Sequence, residues 1–325
     1  MRFDLSRVDW ELASVFRIAY KTQTHVHAVV AKLSDGAHSG CGEGIGVSYK
    51  GETADSIMTQ LEAVKADIAN GLTREELQKA MAPGGARNAL DCAFWDLEAK
   101  RAGKPAYALA GLEHVEPLIT AYTLSMEAPE AMAAAAKAAS RQSLLKLKLG
   151  DEADLERVAA VRAARPDAAI IVDANQSWGE KQLHELTPKF AELRVDLIEQ
   201  PLPAGKDDAL QGFESPVPIC ADESCQTREQ LSGLVGKYQF INIKLDKTGG
   251  LTEALLLARA AEATGFRLMV GCMAGSSISM APAFIIGQFC DFVDLDGPLL
   301  AKNDVEQGIF YDGSLMHAPD SRLWG

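Results

Sequence analysis

The chain has no dense basic run. Its 325 residues carry 32 Lys and Arg against 45 Asp and Glu, a formal net charge of −13. Phosphate backbones need a positive footprint, so no nucleic-acid partner is expected. Long apolar stretches are missing as well. None approaches the roughly 20 residues that span a bilayer, and no membrane partner is expected. The opening MRFDLSRVDWEL lacks the basic-then-apolar pattern of a secretory signal. The six cysteines, at 41, 92, 220, 225, 272 and 290, form no CxxC pair. Set among apolar runs, they read as reduced thiols, and the expected compartment is the cytoplasm. No low-complexity linker divides the chain, so its parts should pack directly on one another.

What is present reads as an ordinary soluble enzyme, with 47% apolar and 24% charged residues. The length suits a barrel of roughly 200 to 250 residues plus a further domain. In the first hundred residues, THVHAVVAKL (24–33) and SGCGEGIG (39–46) read as antiparallel strands joined by a turn at Ser34-Asp35-Gly36. SIMTQLEAVKADIANG, TREELQKAM and GARNALDCAFWDLEAKRAGKP follow with helical periodicity, the last stopping at Gly103 and Pro105. GEGIGV has alternating glycines but opens no helix, which argues against a dinucleotide fold. His25 and His27 share a strand face without further ligands nearby.

From about residue 118 short apolar runs alternate with helical segments. The runs are ITAYTLS (119–125), LLKLKLG (144–150), AIIVDAN (169–175), VDLIEQP (195–201), PICADES (218–224), QFINIKLD (239–246), RLMVGC (267–272) and DFVDLDGP (291–298). Eight strands in this rhythm predict a closed parallel barrel, with an open doubly wound sheet as the rival. The 202–217 connection is weak as a helix, and the tail IFYDGSLMHAPDSRLWG reads as a hairpin folding back on the first domain.

Each barrel run starts apolar and gains charge at its C-terminal end, where such enzymes place their chemistry. Asp173, Glu199 and Asp222 end three successive runs. Converging carboxylates repel one another unless a cation lies between them, and hard oxygen ligands suit Mg²⁺. The competing reading is that each caps its following helix. Lys146 and Lys148, two apart, share a face of the preceding strand, and Lys244 lies on the strand after the acids. Amines on both sides of a cation suit removal of a proton from one face of a carbon and return to the other. The simplest account of the KLK pair is that Lys146 depresses the pKa of Lys148 towards a usable base; otherwise both extend into solvent.

The order Lys146-Leu-Lys148, Asp173-Ala-Asn175, Glu199-Gln-Pro201, Asp222-Glu223 and Lys244-Leu-Asp-Lys247-Thr-Gly-Gly250 resembles the enolase superfamily, muconate-lactonizing-enzyme subgroup, across nearly the whole chain. Lysine with Mg²⁺ at an enediolate is that superfamily's known strategy. The resemblance implies a (β/α)7β TIM-like barrel under an N-terminal α+β capping domain completed by the C-terminal tail. The implied divisions are 1–112, 113–303 and 304–325.

Asp294-x-Asp296 resembles the pair that holds a free α-ammonium in dipeptide epimerases; loop capping is the alternative. The resemblance makes Asp173, Glu199 and Asp222 ligands of one Mg²⁺, and Lys148 and Lys244 the opposed acid and base. Lys146, Asp294, Asp296 and Met273 would bind substrate, with Lys21 and Tyr49 from the cap stretches FRIAYKT and IGVSYKG. Asn175, Glu223 and Asp246 would stand behind them. GCMAGSSIS has no acid after Met273, where many dipeptide epimerases carry a glutamate, as in some bacterial Ala-Glu epimerases.

The implied activity is 1,1-proton transfer on a small dipeptide of the L-Ala-D/L-Glu type, in recycling of cell-wall peptides. The implied alternatives are an o-succinylbenzoate synthase or muconate cycloisomerase, and more remotely a metal-dependent binder without catalysis. Oligomeric state stays open, a homo-oligomer included.

Overall fold

The computed structural model describes residues 1–325. Its N-terminal part is a three-stranded antiparallel sheet of Arg2–Ile18, Lys21–Ser34 and Ser39–Ile45, in that order. The turn after Ser34 forms as predicted: Asp35 accepts from the backbone N–H of Ala37 and His38, and Gly36 adopts φ +97°. The long edge strand Arg2–Ile18 was not predicted. Its side chains are mostly exposed, and its register breaks between Glu11 and Phe16, which blurs the alternation that marks a strand.

Helices Ala54–Ala63, Lys65–Ala69, Arg74–Ala80 and Gly85–Ala102 cover one face of this sheet. Thr53 and Thr73 start the first and third with reciprocal capping boxes, and Gly103 ends the fourth in the left-handed region at φ +59°. The structure also explains SGCGEGIG. A Cβ at Gly40, Gly42 or Gly44 would collide with backbone atoms of helix Gly85–Ala102. Alternating glycines let that helix lie directly on the strand.

The second part is an eight-stranded parallel sheet: Tyr122–Leu124, Leu144–Lys148, Ala169–Asp173, Leu197–Glu199, Ile219–Ala221, Phe240–Ile243, Arg267–Val270 and Phe292–Val293. These are barrel strands 1 to 8. A parallel bridge between Thr120 and Val293, with Ala121 N–H donating to Val293 O at 2.7 Å, closes the ring. All eight predicted runs supply a strand. Strand 4 leads to strand 5 through only a short 3-10 turn, Asp208–Leu210, as the weak 202–217 pattern predicts.

The tail forms a hairpin, Tyr311–Asp312 with Leu315–Met316, but it pairs with Leu118–Ile119 at the foot of the barrel. Only the last residues reach the first domain: Trp324 Nε1 donates to Cys92 O, and Gly325 N–H to Asp96. All six cysteines are free, and no helix is long and apolar enough to cross a membrane.

Candidate active site

The strands deliver their polar ends to one mouth. In-register pairing sets Lys148 beside Asp173 and Asp173 beside Glu199 on strands 2, 3 and 4. Asp222 follows strand 5 and Lys244 follows strand 6. Within an eight-membered ring strands 2 and 6 are opposite, so Lys148 and Lys244 enter from opposite sides. Both line a cavity of about 390 Å³ between this mouth and the first domain. Asn175, Asp222, Glu223, Met273, Asp294 and Asp296 line it from the barrel, and Lys21 and Tyr49 from the N-terminal sheet and its following turn.

Burial makes the pairing of these charges strict. Asp173, Glu199 and Asp222 are at most 1% exposed. Lys148 Nζ lies 2.6 Å from Asp173, and Lys244 Nζ lies 2.7 Å from Asp222. Burial works against the charge on Asp173 and Asp222, but the neighbouring ammonium groups outweigh it, lowering Asp173 and holding Asp222 well below the usual carboxylate range. Glu199 goes the other way, raised by burial and by Asp173. Burial also opposes charge on Lys244, yet Asp222 and Glu199 hold the ammonium well above its ordinary value.

Lys146 departs from its expected place. It is fully buried below the cavity rather than in its wall, so it presents no ammonium to a substrate there. Its Nζ lies 2.6 Å from Glu199, 2.7 Å from Asp294 and 3.4 Å from Asp173. Burial disfavours its charge, but Asp294, Glu199 and Asp173 overcome that and raise its pKa well above normal. The KLK pair is therefore accommodated by carboxylates: Asp173 serves both ammonium groups, and Glu199 and Asp294 serve Lys146. Leu145, Leu147 and Leu149 on the other face join the main core, as the alternation predicts.

The same competition affects the three carboxylates. No three acidic, histidine or cysteine side chains are gathered closely enough to hold one ion, because each carboxylate turns towards an ammonium group. The donor set nonetheless fits a hard divalent cation: three all-oxygen ligands on adjacent strand ends, fully desolvated. Glu199 Oε2 is buried without an aligned hydrogen-bond donor, although Lys146 stands close to it.

Several residues at the mouth carry no expected role. Asn242, two before Lys244 and so on the same face, donates to Glu199 Oε1 at 2.7 Å. Lys247 is fully buried and donates to Asp222 Oδ1 and to the carbonyls of Asp222, Cys225 and Asn242. Gln200 accepts from the N–H of Asp222 and Ser224. Thr123 N–H donates to Asp296 at 2.6 Å. Strand period is the sequence signal for Asn242, the motifs Glu199-Gln-Pro201 and Lys244-Leu-Asp-Lys247 contain Gln200 and Lys247 without giving them a role, and nothing local marks Thr123. Asn175, Gln176, Gln200 and Ala274 adopt positive φ, between +36° and +67°. Backbone strain thus collects in the loops of the mouth.

The remaining expected residues divide by position. Asn175 donates to Asp173 through both its backbone N–H and its Nδ2. Glu223 faces the cavity with Oε2 unpartnered, its pKa pushed to about 8 by burial and by Asp222. Asp296 is pushed to about 7 by burial and by Asp294. Asp246 lies behind the cavity, and Tyr49 OH pairs with Gln226.

A closed parallel ring with acids and opposed lysines at its C-terminal mouth, roofed by a sheet and helices, defines an enolase-type barrel. The chain belongs to that superfamily: residues 3–111 match the mandelate racemase / muconate lactonizing enzyme N-terminal domain, and residues 130–320 the enolase C-terminal domain-like family. It is 44% identical to an L-Ala-D/L-Glu epimerase of Escherichia coli K12, over 95% of this chain and 97% of that one. It is 41% identical to an N-acetyl-D-glutamate racemase of a Pseudoalteromonas species, over 91% and 95%. A solved enolase family member from Agrobacterium tumefaciens, with homology to dipeptide epimerases and with sodium and L-Ala-L-Glu bound, superposes with a TM-score of 0.97. It shares 47% identity and covers 99% of both chains.

Proposed function

We propose that the protein is a Mg²⁺-dependent dipeptide epimerase that inverts the α-carbon of the C-terminal residue, with L-Ala-D/L-Glu as its substrate type. The observation that carries the reading is the entry of Lys148 and Lys244 into one cavity from opposite strands of the ring. Asp173, Glu199 and Asp222 would hold the cation. When bound, Mg²⁺ supplies positive charge opposite the substrate carboxylate, which lowers the cost of removing the α-proton. One lysine, as the free amine, takes the proton from one face of the α-carbon. The opposite ammonium returns a proton to the other face, and the roles exchange for the other stereoisomer. Asn175 and Glu223 steady the acid cluster.

Asp294 and Asp296 bind the free ammonium of the first residue, and Met273 walls the substrate. Lys21 pairs with the acidic side chain, and Tyr49 closes the cavity from above. The proposed division is a cap of residues 1–112, a barrel of 113–303 and a tail of 304–325. Six free thiols accord with a cytoplasmic enzyme in cell-wall peptide recycling.

A second reading is racemisation of an N-acylated acidic amino acid, favoured by the Pseudoalteromonas relative. It brings no substrate ammonium to Asp294 and Asp296, which would then be left with Lys146 and the Thr123 N–H. The deciding experiment incubates enzyme and Mg²⁺ in D₂O with L-Ala-L-Glu, a dipeptide panel and N-acetyl-L-glutamate. Inversion with deuterium at the α-carbon of the dipeptide is expected. Turnover of N-acetylglutamate alone assigns the second reading, and no exchange on any substrate discards both.

A further inference from the structure

Asp246 is a buried carboxyl that neither holds substrate nor faces a cation. It lies in the one-turn helix Leu245–Thr248, which begins directly after Lys244. All four residues of this turn are at most 4% exposed. Asp246 Oδ1 accepts two hydrogen bonds, both from the N-terminal domain: Ile45 N–H at 2.9 Å and Asn88 Nδ2 at 2.7 Å. Asn88 Nδ2 also reaches Glu43 O at 3.2 Å. Glu52 and Glu43, both acids, act on Asp246 to raise its pKa further. A desolvated carboxyl with neutral donors and acidic neighbours is costly.

The two donors explain why an acceptor stands there. Ile45 ends the strand whose continuation, Gly46, Ser48, Tyr49 and Gly51 to Ala54, walls the cavity on its outer side. Asn88 lies on helix Gly85–Ala102, the helix packed against that strand. The same turn is gripped at its far end, where Arg87 donates to Thr248 O and Gly249 O. A Cβ at Gly249 or Gly250 would strike Arg87 or Asp91, so the glycine pair is the socket for this helix. Its middle is fixed to the mouth by Lys247 on Asp222. Lys244 thus extends from a turn whose position depends on how the N-terminal domain is seated.

We propose that Asp246 is a positioning residue: it ties the strand bearing the outer wall of the cavity to the turn bearing Lys244, so that cap seating and placement of that amine are one event. The role of Lys244 as acid or base rests on the proposed function. Asp246→Leu removes the acceptor and adds bulk, Asp246→Asn keeps both the volume and the accepting oxygen, and Asn88→Ala removes one donor from the other side. The measurement is α-proton exchange into D₂O from each stereoisomer of the dipeptide, with kcat and KM separately.

A misplaced amine costs on the order of 100-fold in rate. Asp246→Leu should therefore lose about that much exchange from the stereoisomer served by Lys244, and several-fold less from the one served by Lys148. KM should be little changed, Asp246→Asn should restore symmetry, and Asn88→Ala should show a weaker form of the same asymmetry. Equal loss from both stereoisomers, or no loss, overturns the proposal. Where Asp246→Leu does not fold, Asn88→Ala decides alone. Amide hydrogen exchange of segments 43–49 and 244–250 gives a readout independent of any substrate. The proposal requires their protection to fall together in Asn88→Ala, and unchanged protection at 244–250 overturns it. If the parent enzyme turns over nothing, the proposed function fails, while this readout still decides the tie.

Discussion

Two layers inside the same barrel are equally buried and differ entirely in chemistry. The lower layer, Ala121, Leu144, Ile171, Leu197, Cys220, Phe240 and Met269, is apolar. Two residues further along strands 2, 3, 4 and 6 stand Lys146, Asp173, Glu199 and Asn242. The lower layer needs only volume and shape. Each ion in the upper layer needs a particular partner, because an unpaired buried charge costs several kcal/mol. Burial alone does not distinguish core from site; the obligation to pair does.

The largest expected effect that sharpens this contrast comes at the rim. Lys148→Ala or Lys244→Ala should lower epimerisation by about 10²- to 10⁴-fold, the usual contribution of a positioned acid or base. Either variant should still fold. Each should retain at most deuterium exchange from one stereoisomer, and full two-way inversion by either would break the mechanism.

Next comes the upper layer itself. Lys146→Met leaves Glu199 and Asp294 buried without their shared cation, and should cost about 3–5 kcal/mol in a urea titration. Leu197→Ala in the lower layer should cost about 2–5 kcal/mol. The two are separated by rescue. Adding Glu199→Gln and Asp294→Asn to Lys146→Met should recover part of the loss, whereas the same changes should do nothing for Leu197→Ala. Absence of rescue would refute the pairing account.

pH supplies the third test, on chelator-treated protein. Glu223 is raised to about 8 by burial and Asp222, Asp296 to about 7 by burial and Asp294, and Asp246 to about 7 by burial despite its donors. A raised carboxyl favours the folded state fully below its unfolded pKa of about 4, and that contribution is lost as pH rises through the folded pKa. The melting temperature should therefore fall between about pH 5 and 8. Glu223→Gln should flatten the fall. Asp173 and Asp222, held low, act in the opposite sense, but only below about pH 4. A melting temperature that rises across the neutral range would contradict these assignments.

The smallest effect belongs to the apolar layer. Ile171→Val should cost about 0.5–1.5 kcal/mol and leave kcat and KM unaltered. A change in kcat would mean that the two layers are mechanically coupled.

Much of this was legible beforehand because it is periodic or terminal. The eight apolar runs gave the strands, and a period of two put Lys146 with Lys148 and Asp294 with Asp296. Strand Arg2–Ile18 was not legible, since an exposed edge strand with a broken register carries no clean alternation. The tail's destination was not legible either, because pairing of Leu315–Met316 with Leu118–Ile119 joins residues almost two hundred positions apart.

The sequence by itself determined which residue types arrive at the strand ends and on which face, because chain geometry fixes side-chain direction within a strand. Only the tertiary structure decided who pairs with whom: that Lys146 sinks to Glu199 and Asp294, that Lys247 takes Asp222, and that Asp246 answers to the N-terminal domain. Those choices depend on distances across the ring and between domains, and electrostatic energy in a desolvated site is set by distance rather than by order along the chain.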